Sequence, residues 1–185
     1  MLNDILKNTE INMQKALENF KNELGKLRTG RAHTSLVEGI KVDYYSNETA
    51  LKHVANITIN DARTITITPW EKTMVKPIEK AIASAGLGLN PISDANLVRV
   101  PIPSLTEERR KEMIKIVKNI AETSRVAIRN IRREAMDKLK ELLKKKEIDE
   151  DADHRTQDVI QKTTDKFINE IDKLVVTKET ELIQF

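Results

Sequence analysis

Residues 104–143 read SLTEERRKEMIKIVKNIAETSRVAIRNIRREAMDKLKELL, an unbroken helical pattern that decides the fold of this 185-residue chain. Ser104 and Glu107 fit a capping box at its start, and Pro101 and Pro103 prevent the helix from extending backwards. Residues spaced three or four apart predict a core-facing stripe, which consists of Met113, Val117, Ile120, Ser124, Ala127, Ile131, Ala135, Lys138 and Leu142. At 1.5 Å per residue, about 40 residues form a rod of roughly 60 Å.

Two further helices are predicted towards the ends of the chain. Between residue 2 and about residue 27, helical spacing predicts an apolar stripe of Leu2, Leu6, Met13, Leu17, Phe20, Leu24 and Leu27. After an acidic turn at Ile148–Asp151, a third stripe consists of Ile160, Thr164, Phe167, Ile171 and Leu174, with Leu182 further along. No single amphipathic helix can bury its own stripe, so the three together predict a three-helix bundle with nearly parallel axes.

The segment between the first two helices has the periodicity of strands. Around Ile40–Tyr44, Arg63–Thr68 and Leu97–Ile102, apolar and polar residues alternate and β-branched side chains are common. Between the last two, Met74–Ala85 repeats apolar residues every four positions, which indicates one helix. The sequence therefore predicts an α+β fold, with a small β-rich domain inserted into a helical one. We expect Trp70 to pack within this small domain rather than to stack on a nucleobase.

The domain boundaries follow from these patterns. Residues 1–29 and 105–185 form the discontinuous three-helix bundle, and residues 31–103 form the inserted domain. The chain crosses between them twice, near residues 28–31 and 100–104, and both crossings are predicted hinges.

Particular residues set the freedom of these crossings. Gly30 supplies conformational freedom at the first, whereas Pro101 and Pro103, followed by Ser104, limit it at the second. We therefore predict a paired hinge with restricted travel.

Composition excludes several classes of protein. The chain has no cysteine, which excludes disulfides and thiolate metal sites and fits a reducing compartment. Its start lacks the pattern of a signal peptide, and no apolar run approaches the roughly 18 residues that span a bilayer. We therefore expect a cytoplasmic protein with no membrane partner.

Charge is distributed unevenly along the chain. The formal net charge is only +3, but residues 105–147 hold 14 lysines and arginines against eight acids, whereas residues 148–185 hold five against ten. The long helix is therefore the electrostatic feature that needs a function.

Four arginines of the long helix are the strongest candidate site. With Ile131 facing the core, Arg125, Arg129, Arg132 and Arg133 all fall on the opposite, solvent-facing side, with no acid among them. The planar guanidinium suits phosphate better than an ammonium does, so a nucleic-acid backbone is the leading ligand. An ordinary solvated face accounts for the pattern about equally well.

Other charged and polar groups have structural explanations. The lysines at 144–146 complement the dipole of a helix end. Arg109–Lys111 oppose the dipole, and for them an ion pair with Glu107 or Glu108 is at least as well supported as a nucleic-acid contact. His33, His53 and His154 are too scattered to predict a metal site. No nucleotide-binding glycine pattern or nucleophile motif occurs, so we predict neither an enzyme nor a cofactor.

Several motifs together resemble the ribosome recycling factor family, in register over essentially the whole chain. They are Arg28–Ala32, Leu87–Pro91, Arg99–Pro103, Leu105–Arg110 and Val126–Arg133, joined by the acidic turn and the ending Lys178–Leu182. Each alone is weak, whereas all in one order are highly specific.

The resemblance implies an L-shaped molecule, a long three-helix bundle with a hinged β/α/β domain. In the family, the bundle lies on the large ribosomal subunit near the peptidyl site and acts after peptide release. The RNA-binding positions map onto Arg129 and Arg132, with Arg133 and Arg28 or Arg31 as additions. The partner is elongation factor G with GTP, and GTP hydrolysis belongs to that partner.

Some residues depart from the family pattern, with Ser46 where a glycine is expected and Ala50 where a proline is usual. Residues 92–96 also differ from the common loop. These departures concern turns of the small domain and leave the arginine face unchanged.

Two other readings stay open from the residues. A helical adaptor would use its stripes to join proteins, and its ribosome binding would be absent or insensitive to salt. A small enzyme would need a pocket in the inserted domain and would turn over GTP alone. We expect a monomer, and the absence of an N-terminal extension favours a bacterial over an organellar protein.

Overall fold

The computed structural model of the chain describes residues 1–184, which form two compact units. Met1–Arg28 and Glu108–Ile183 make up a helical unit, and Thr29–Glu107 makes up the body of a sheet unit. The helices are α1 (Leu2–Gly25), α2 (Ser35–Glu38), α3 (Val75–Ser84), α4 (Glu107–Lys144) and α5 (Glu150–Gln184). The predicted α+β fold is confirmed.

In the helical unit, α1, α4 and α5 bury their stripes against one another. On α1, Met13, Leu17, Phe20 and Leu24 are buried as predicted, together with Thr9. On α5 the buried residues are Asp153, Thr156, Ile160, Thr164, Phe167, Ile171, Val175 and Leu182, which include most of the predicted stripe. Complete burial of a large side chain such as Phe20 contributes about 1.5–3 kcal/mol.

One cluster illustrates how the three helices meet. Ala135 and Leu139 of α4 pack with Ile160 of α5, and Leu2, Ile5 and Leu6 of α1 cover them.

The buried stripe of α4 is rotated from the prediction. Its buried residues are Met113, Val117, Ala121, Ile128, Ala135 and Leu139, whereas the predicted Ile120, Ser124, Ala127, Ile131 and Leu142 are only partly buried and Lys138 is exposed. At about 100° per residue, the centre of burial lies roughly 50° from Ile131. Partly buried residues extend the arc of α4 on both sides, and the prediction followed one edge of it.

The two ends of the α4–α5 connection are determined locally. Lys146 adopts a left-handed conformation (φ 60°) after α4, and the side chain of Asp149 accepts a hydrogen bond of 2.6 Å from the N–H of Ala152 at the start of α5. At its N-terminal end, α4 begins at Glu107. Ser104 therefore lies outside the helix, and the predicted capping box is wrong.

The sheet unit contains a hairpin and a four-stranded antiparallel sheet. Its strands are β1 (Lys41–Tyr44), β2 (Asn47–Ala50), β3 (Ala55–Asp61), β4 (Thr64–Pro69), β5 (Ile92–Ser93) and β6 (Val98–Pro101). The hairpin pairs β1 with β2, and the larger sheet has the order β3-β4-β6-β5.

Three of these strands and α3 lie where the sequence predicts them, but β2, β3, β5 and the short α2 were missed. The sequence of β3 does alternate, with Ala55, Ile57 and Ile59 separated by polar residues, so local periodicity could have identified this strand. In the structure it pairs with β4 over Ala55–Asp61, and of its apolar residues Ala55 is buried and Ile57 partly buried.

The core of the sheet unit lies between the sheet and α3. Ile65 and Ile67 of β4 and Val98 and Val100 of β6 are fully buried. They pack with the buried face of α3, which consists of Val75, Ile78 and Ile82.

Trp70 does not pack in this core, so that prediction is wrong. Its side chain is 69% exposed, although its backbone N–H donates a 3.2 Å hydrogen bond to the carbonyl of Val54. The neighbouring Pro69, the last residue of β4, is buried instead. Burial alternates from one residue to the next along an extended chain, and Trp70 falls on the solvent side.

The two crossings have different local structures. Gly30 is buried with a positive φ of 78°, a conformation that favours glycine. Pro101 is the last residue of β6, where it pairs with Thr64 of β4, whereas Pro103 and Ser104 lie between β6 and α4.

The turn of the β1–β2 hairpin carries strain. Tyr45 and Ser46 both have positive φ, at 50° and 66°, as in the two-residue turn that usually contains glycine. The side chain of Tyr45 is engaged, because its hydroxyl donates a 3.1 Å hydrogen bond to Glu71. A glycine at Ser46 therefore relieves backbone strain without removing the hydrogen bond that Tyr45 donates to Glu71.

We expect Ser46→Gly to raise the free energy of unfolding of the sheet unit by about 0.5–1 kcal/mol, because glycine adopts positive φ without a steric penalty. Denaturant unfolding followed by fluorescence of Trp70, the single tryptophan, measures the change. Glu48→Gly, in the adjacent strand, is the matched control and should destabilise. Equal destabilisation by both variants would contradict the strained turn.

Candidate nucleic-acid interface

The exposed side of α4 is divided by charge. At about 100° per residue, one half of it carries seven basic residues, which we call the basic face: Lys111, Lys115, Lys118, Arg129, Arg133, Lys140 and Lys144. The other half carries Glu112, Glu134, Asp137 and Glu141, whereas the exposed acids Glu108 and Glu122 lie within the basic half. The basic face adjoins α5, because Arg125 and Arg132 at its border contact α5 side chains.

Arg125 joins α4 to α5. Its Nε and Nη2 donate hydrogen bonds of 2.9 and 2.7 Å to Oδ1 of Asp172, and its Nη1 lies 3.3 Å from Glu122. Burial lowers the pKa of Arg125, but the bonds to Asp172 and Glu122 outweigh it and raise the pKa overall. Only 24% of the Arg125 side chain is exposed, so this arginine forms a partly buried ion pair that joins α4 to α5.

Arg129 is more accessible but is also paired. Its Nη2 lies 3.1 Å from Oε1 of Glu122, and 46% of its side chain is exposed. The hydrogen bond from Arg129, followed by that from Arg125, lowers the pKa of Glu122. Glu122 therefore stays charged and bridges the two guanidinium groups.

Arg132 is partly buried and is held by a neutral group. Its Nη1 donates a 2.8 Å hydrogen bond to Oε1 of Gln161 on α5. Its Nε is buried and has no hydrogen-bond partner among residues 1–184. Arg132 is thus oriented by α5 without forming an ion pair within the described chain.

Arg133 is exposed and makes no hydrogen bond or ion pair with the residues that the structure describes. The prediction that all four arginines share the solvent face is therefore wrong for Arg125 and Arg132. The cause is the rotation of the buried stripe by roughly 50°, which brings these two to the α5 border.

Arg28 and Arg31 are the predicted RNA-binding residues that lie outside α4. Arg28 and Arg31 are both exposed and flank the buried Thr29 and Gly30 at the first crossing.

At the start of α4, the basic residues serve the fold. Arg109 pairs with Glu112 at 2.9 Å, and Arg110 donates a 2.8 Å hydrogen bond to the carbonyl of Ile183 in α5. The lysines at 144–146 are exposed at the end of α4.

Sequence reasoning missed three side chains that organise this interface. Glu122 could have been found, because it lies three and seven residues before Arg125 and Arg129 on the same helix. Asp172 and Gln161 come from α5 and have no local signal in the sequence of α4.

Histidines, metal-ligating groups and grooves are the features that bear on an enzyme site in the described residues. The three histidines are exposed, and no group of three metal-ligating side chains comes together within residues 1–184. An open groove of about 490 Å³ in the sheet unit is lined by Ser35, Leu36, Gly39, Ile40, Lys41, Ala81, Ser84, Ala85 and Leu87, without an acid or a histidine. Within the described chain, no helix is both long and apolar enough to span a membrane.

Comparison with known proteins identifies the relatives of the chain. A sequence profile of the family described as ribosome recycling factor matches residues 20–183. The ribosome-recycling factor of Coxiella burnetii (strain CbuG_Q212) is 58% identical over 183 residues, with 99% of each chain covered. That of Paraburkholderia phymatum is 56% identical over 180 residues, with 97% of each covered. The resemblance inferred from the motifs is confirmed.

Solved structures agree. A solution structure of ribosome recycling factor matches with a TM-score of 0.75 and 44% identity over 100% of this chain and 98% of that one. A second match has a TM-score of 0.64 and 44% identity over 98% of both chains. It describes the T. thermophilus ribosome recycling factor and the E. coli elongation factor G bound to the E. coli post-termination complex.

We expect Arg125→Ala to lower the free energy of unfolding by about 1 kcal/mol, because it removes the partly buried fastening to Asp172. Denaturant unfolding followed by helical circular dichroism measures the change. A double-mutant cycle with Asp172→Ala should give a coupling of about 0.5–1 kcal/mol. Arg133→Ala, the control, should stay within about 0.5 kcal/mol. Equal effects of the two arginine variants would contradict the distinction between them.

Proposed function

The chain belongs to the ribosome recycling factor family, and we propose that it binds the post-termination ribosome and, with elongation factor G and GTP, separates it into subunits for reuse. The structural match to a recycling factor bound with elongation factor G to a post-termination complex supports this choice of partners. In this proposal the elongation factor hydrolyses GTP, and the chain acts in the cytoplasm as a monomeric, non-enzymatic factor.

The basic face of α4 is the observation that carries the RNA-binding part of the proposal. Its seven basic residues run from Lys111 to Lys144, about 50 Å along the helix. A long, straight row of exposed cations fits the phosphate backbone of large-subunit ribosomal RNA. Glu112, Glu134, Asp137 and Glu141 lie on the other half of the exposed side, away from the RNA in this proposal, whereas Glu122 lies within the basic face and is paired with Arg125 and Arg129.

Within this surface, the arginines have different roles. Arg129 and Arg133 contact phosphate from the exposed face, and Arg132 contacts it from the α5 border. Arg125 supports the interface by joining the helices, because its hydrogen-bond donors are occupied by Asp172 and Glu122. Arg28 and Arg31 extend the RNA-binding surface at the first crossing.

The two units divide the work in this mechanism. The helical unit, stiffened by three helices packed along their lengths, anchors to RNA. The sheet unit is moved by the elongation factor about the crossings at Gly30 and at Pro103–Ser104, and this movement disrupts contacts between the ribosomal subunits.

The first test is light scattering of post-termination ribosomes mixed with the chain, elongation factor G and GTP. The wild-type chain should lower the scattering as subunits separate. Replacement of Arg129 and Arg133 by alanine should weaken ribosome binding by on the order of tenfold for each arginine, because each loses a charge-assisted contact. The slope of log affinity against log salt should fall by about 0.7–0.9 per contact.

The matched control is Arg155→Ala, which removes an exposed arginine of α5 outside the basic face. No loss of scattering with the wild-type chain would contradict the proposed recycling function. Splitting by the wild type with unchanged affinity of the double variant would contradict only the RNA-binding surface.

The hinge is tested by loosening it. Pro103→Gly should leave ribosome affinity nearly unchanged but slow subunit splitting severalfold, because a more flexible crossing transmits less of the movement. Pro91→Gly, within the sheet unit, is the control for a general effect of losing a proline. Unchanged splitting by Pro103→Gly would contradict the mechanical role of this crossing.

A further inference from the structure

We propose that Gln161 of α5 is a positioning residue for Arg132, which it orients towards an RNA phosphate without neutralising it. This inference rests on the proposed RNA-binding function of the α4 surface. It adds a residue from a different helix to that surface.

The geometry forms a relay of two hydrogen bonds. Arg132 Nη1 donates to Gln161 Oε1 at 2.8 Å, and Gln161 Nε2 donates to Oδ1 of Asp165 at 2.8 Å, one turn further along α5. A carboxylate can only accept, so Asp165 takes the amide nitrogen and leaves the amide oxygen for the guanidinium. A rotation that exchanged the two ends of the amide would break both bonds.

The chemistry of the partner distinguishes Arg132 from its neighbours. Arg125 and Arg129 are held by the carboxylates of Asp172 and Glu122, so a phosphate must compete with an acid for them. Gln161 supplies an acceptor of the same kind but carries no charge. Among Arg125, Arg129 and Arg132, it is therefore Arg132 that keeps its charge available for RNA.

The Arg132 side chain is also ordered before RNA binds, which favours its contact with phosphate. A flexible arginine loses rotamer freedom when it binds, and this loss weakens the interaction. Arg132 is already partly buried and held by Gln161, while its Nη2 makes no hydrogen bond within residues 1–184. Its buried and unpartnered Nε is a cost to the fold, which is expected of a side chain placed for binding.

Gln161→Glu is the sharpest test, because glutamate keeps the size and the acceptor of glutamine but adds a negative charge that pairs with Arg132. We expect the affinity of the full chain for post-termination ribosomes to fall about tenfold, close to the effect of Arg132→Ala. In the Arg132→Ala background, Gln161→Glu should have little further effect. Asn169→Asp, which adds the same charge at an exposed position of α5, should bind like the wild type.

Folding is checked separately. Helical circular dichroism and thermal unfolding should show that Gln161→Glu is folded, because its new pair with Arg132 offsets the lost hydrogen bond to Asp165 and the repulsion between the two carboxylates. If this variant does not fold, Gln161→Met replaces it. The methionine substitution removes the acceptor without adding charge, and a loss of affinity of about threefold is expected, absent when Arg132 is replaced by alanine.

Three results would overturn the inference. Wild-type affinity of a folded Gln161→Glu, with a clear loss in Arg132→Ala, would show that Gln161 does not control Arg132 and would leave the proposed function intact. An equal loss on adding Gln161→Glu to Arg132→Ala would show general charge repulsion. Wild-type affinity in Arg132→Ala and also in the Arg129 and Arg133 double variant would overturn the RNA-binding surface together with this inference.

Discussion

Burial of one side of α4 against α1 and α5 determines which of its charged residues can reach a ligand. The buried arc includes Val117, Ala121, Ile128 and Ala135, and everything polar on the helix is arranged around it. On the α5 border, Arg125 and Arg132 contact side chains of the neighbouring helix. On the exposed side, one half carries mainly basic residues, with Glu122 among them, and the other half carries mainly acidic ones. The same packing that stabilises the bundle therefore orients the surface that we propose to bind RNA.

The separation of roles among the arginines follows from the chemistry of their partners. A carboxylate binds an arginine strongly but also competes with phosphate for it. This partner suits Arg125, whose role is to join α4 to α5. An amide orients without competing, which suits Arg132. Arg133 is exposed and is the one of the four arginines that makes no hydrogen bond or ion pair within residues 1–184. One helix thus combines structural, oriented and free arginines within nine residues, from 125 to 133.

How much could be predicted from sequence depended on the width of each buried stripe. The stripe of α1 is narrow, and helical spacing identified Met13, Leu17, Phe20 and Leu24 correctly. Buried and partly buried residues together span about 200° of α4 but only about 120° of α1, so the prediction for α4 was in error by roughly 50° and placed two border arginines on the solvent face.

In the sheet unit, local patterns predicted β4 and β6, whose inward residues are fully buried, but not β2, which depends on its pairing with β1. The strand β3 was missed although its apolar and polar residues alternate. The family motifs predicted the relatives correctly where periodicity could not. The partners of Arg125 and Arg132 lie 47 and 29 residues away along the chain, so only tertiary structure could identify them.

Binding of large-subunit ribosomal RNA by the α5-facing half of the exposed surface of α4 is tested most directly by a cryo-electron microscopy structure of the chain bound to post-termination ribosomes. In that structure Arg129, Arg132 and Arg133 should lie within about 3 Å of phosphate oxygens of the RNA. A bound chain whose basic face points to solvent, with its ribosomal contacts made by the sheet unit instead, would contradict it.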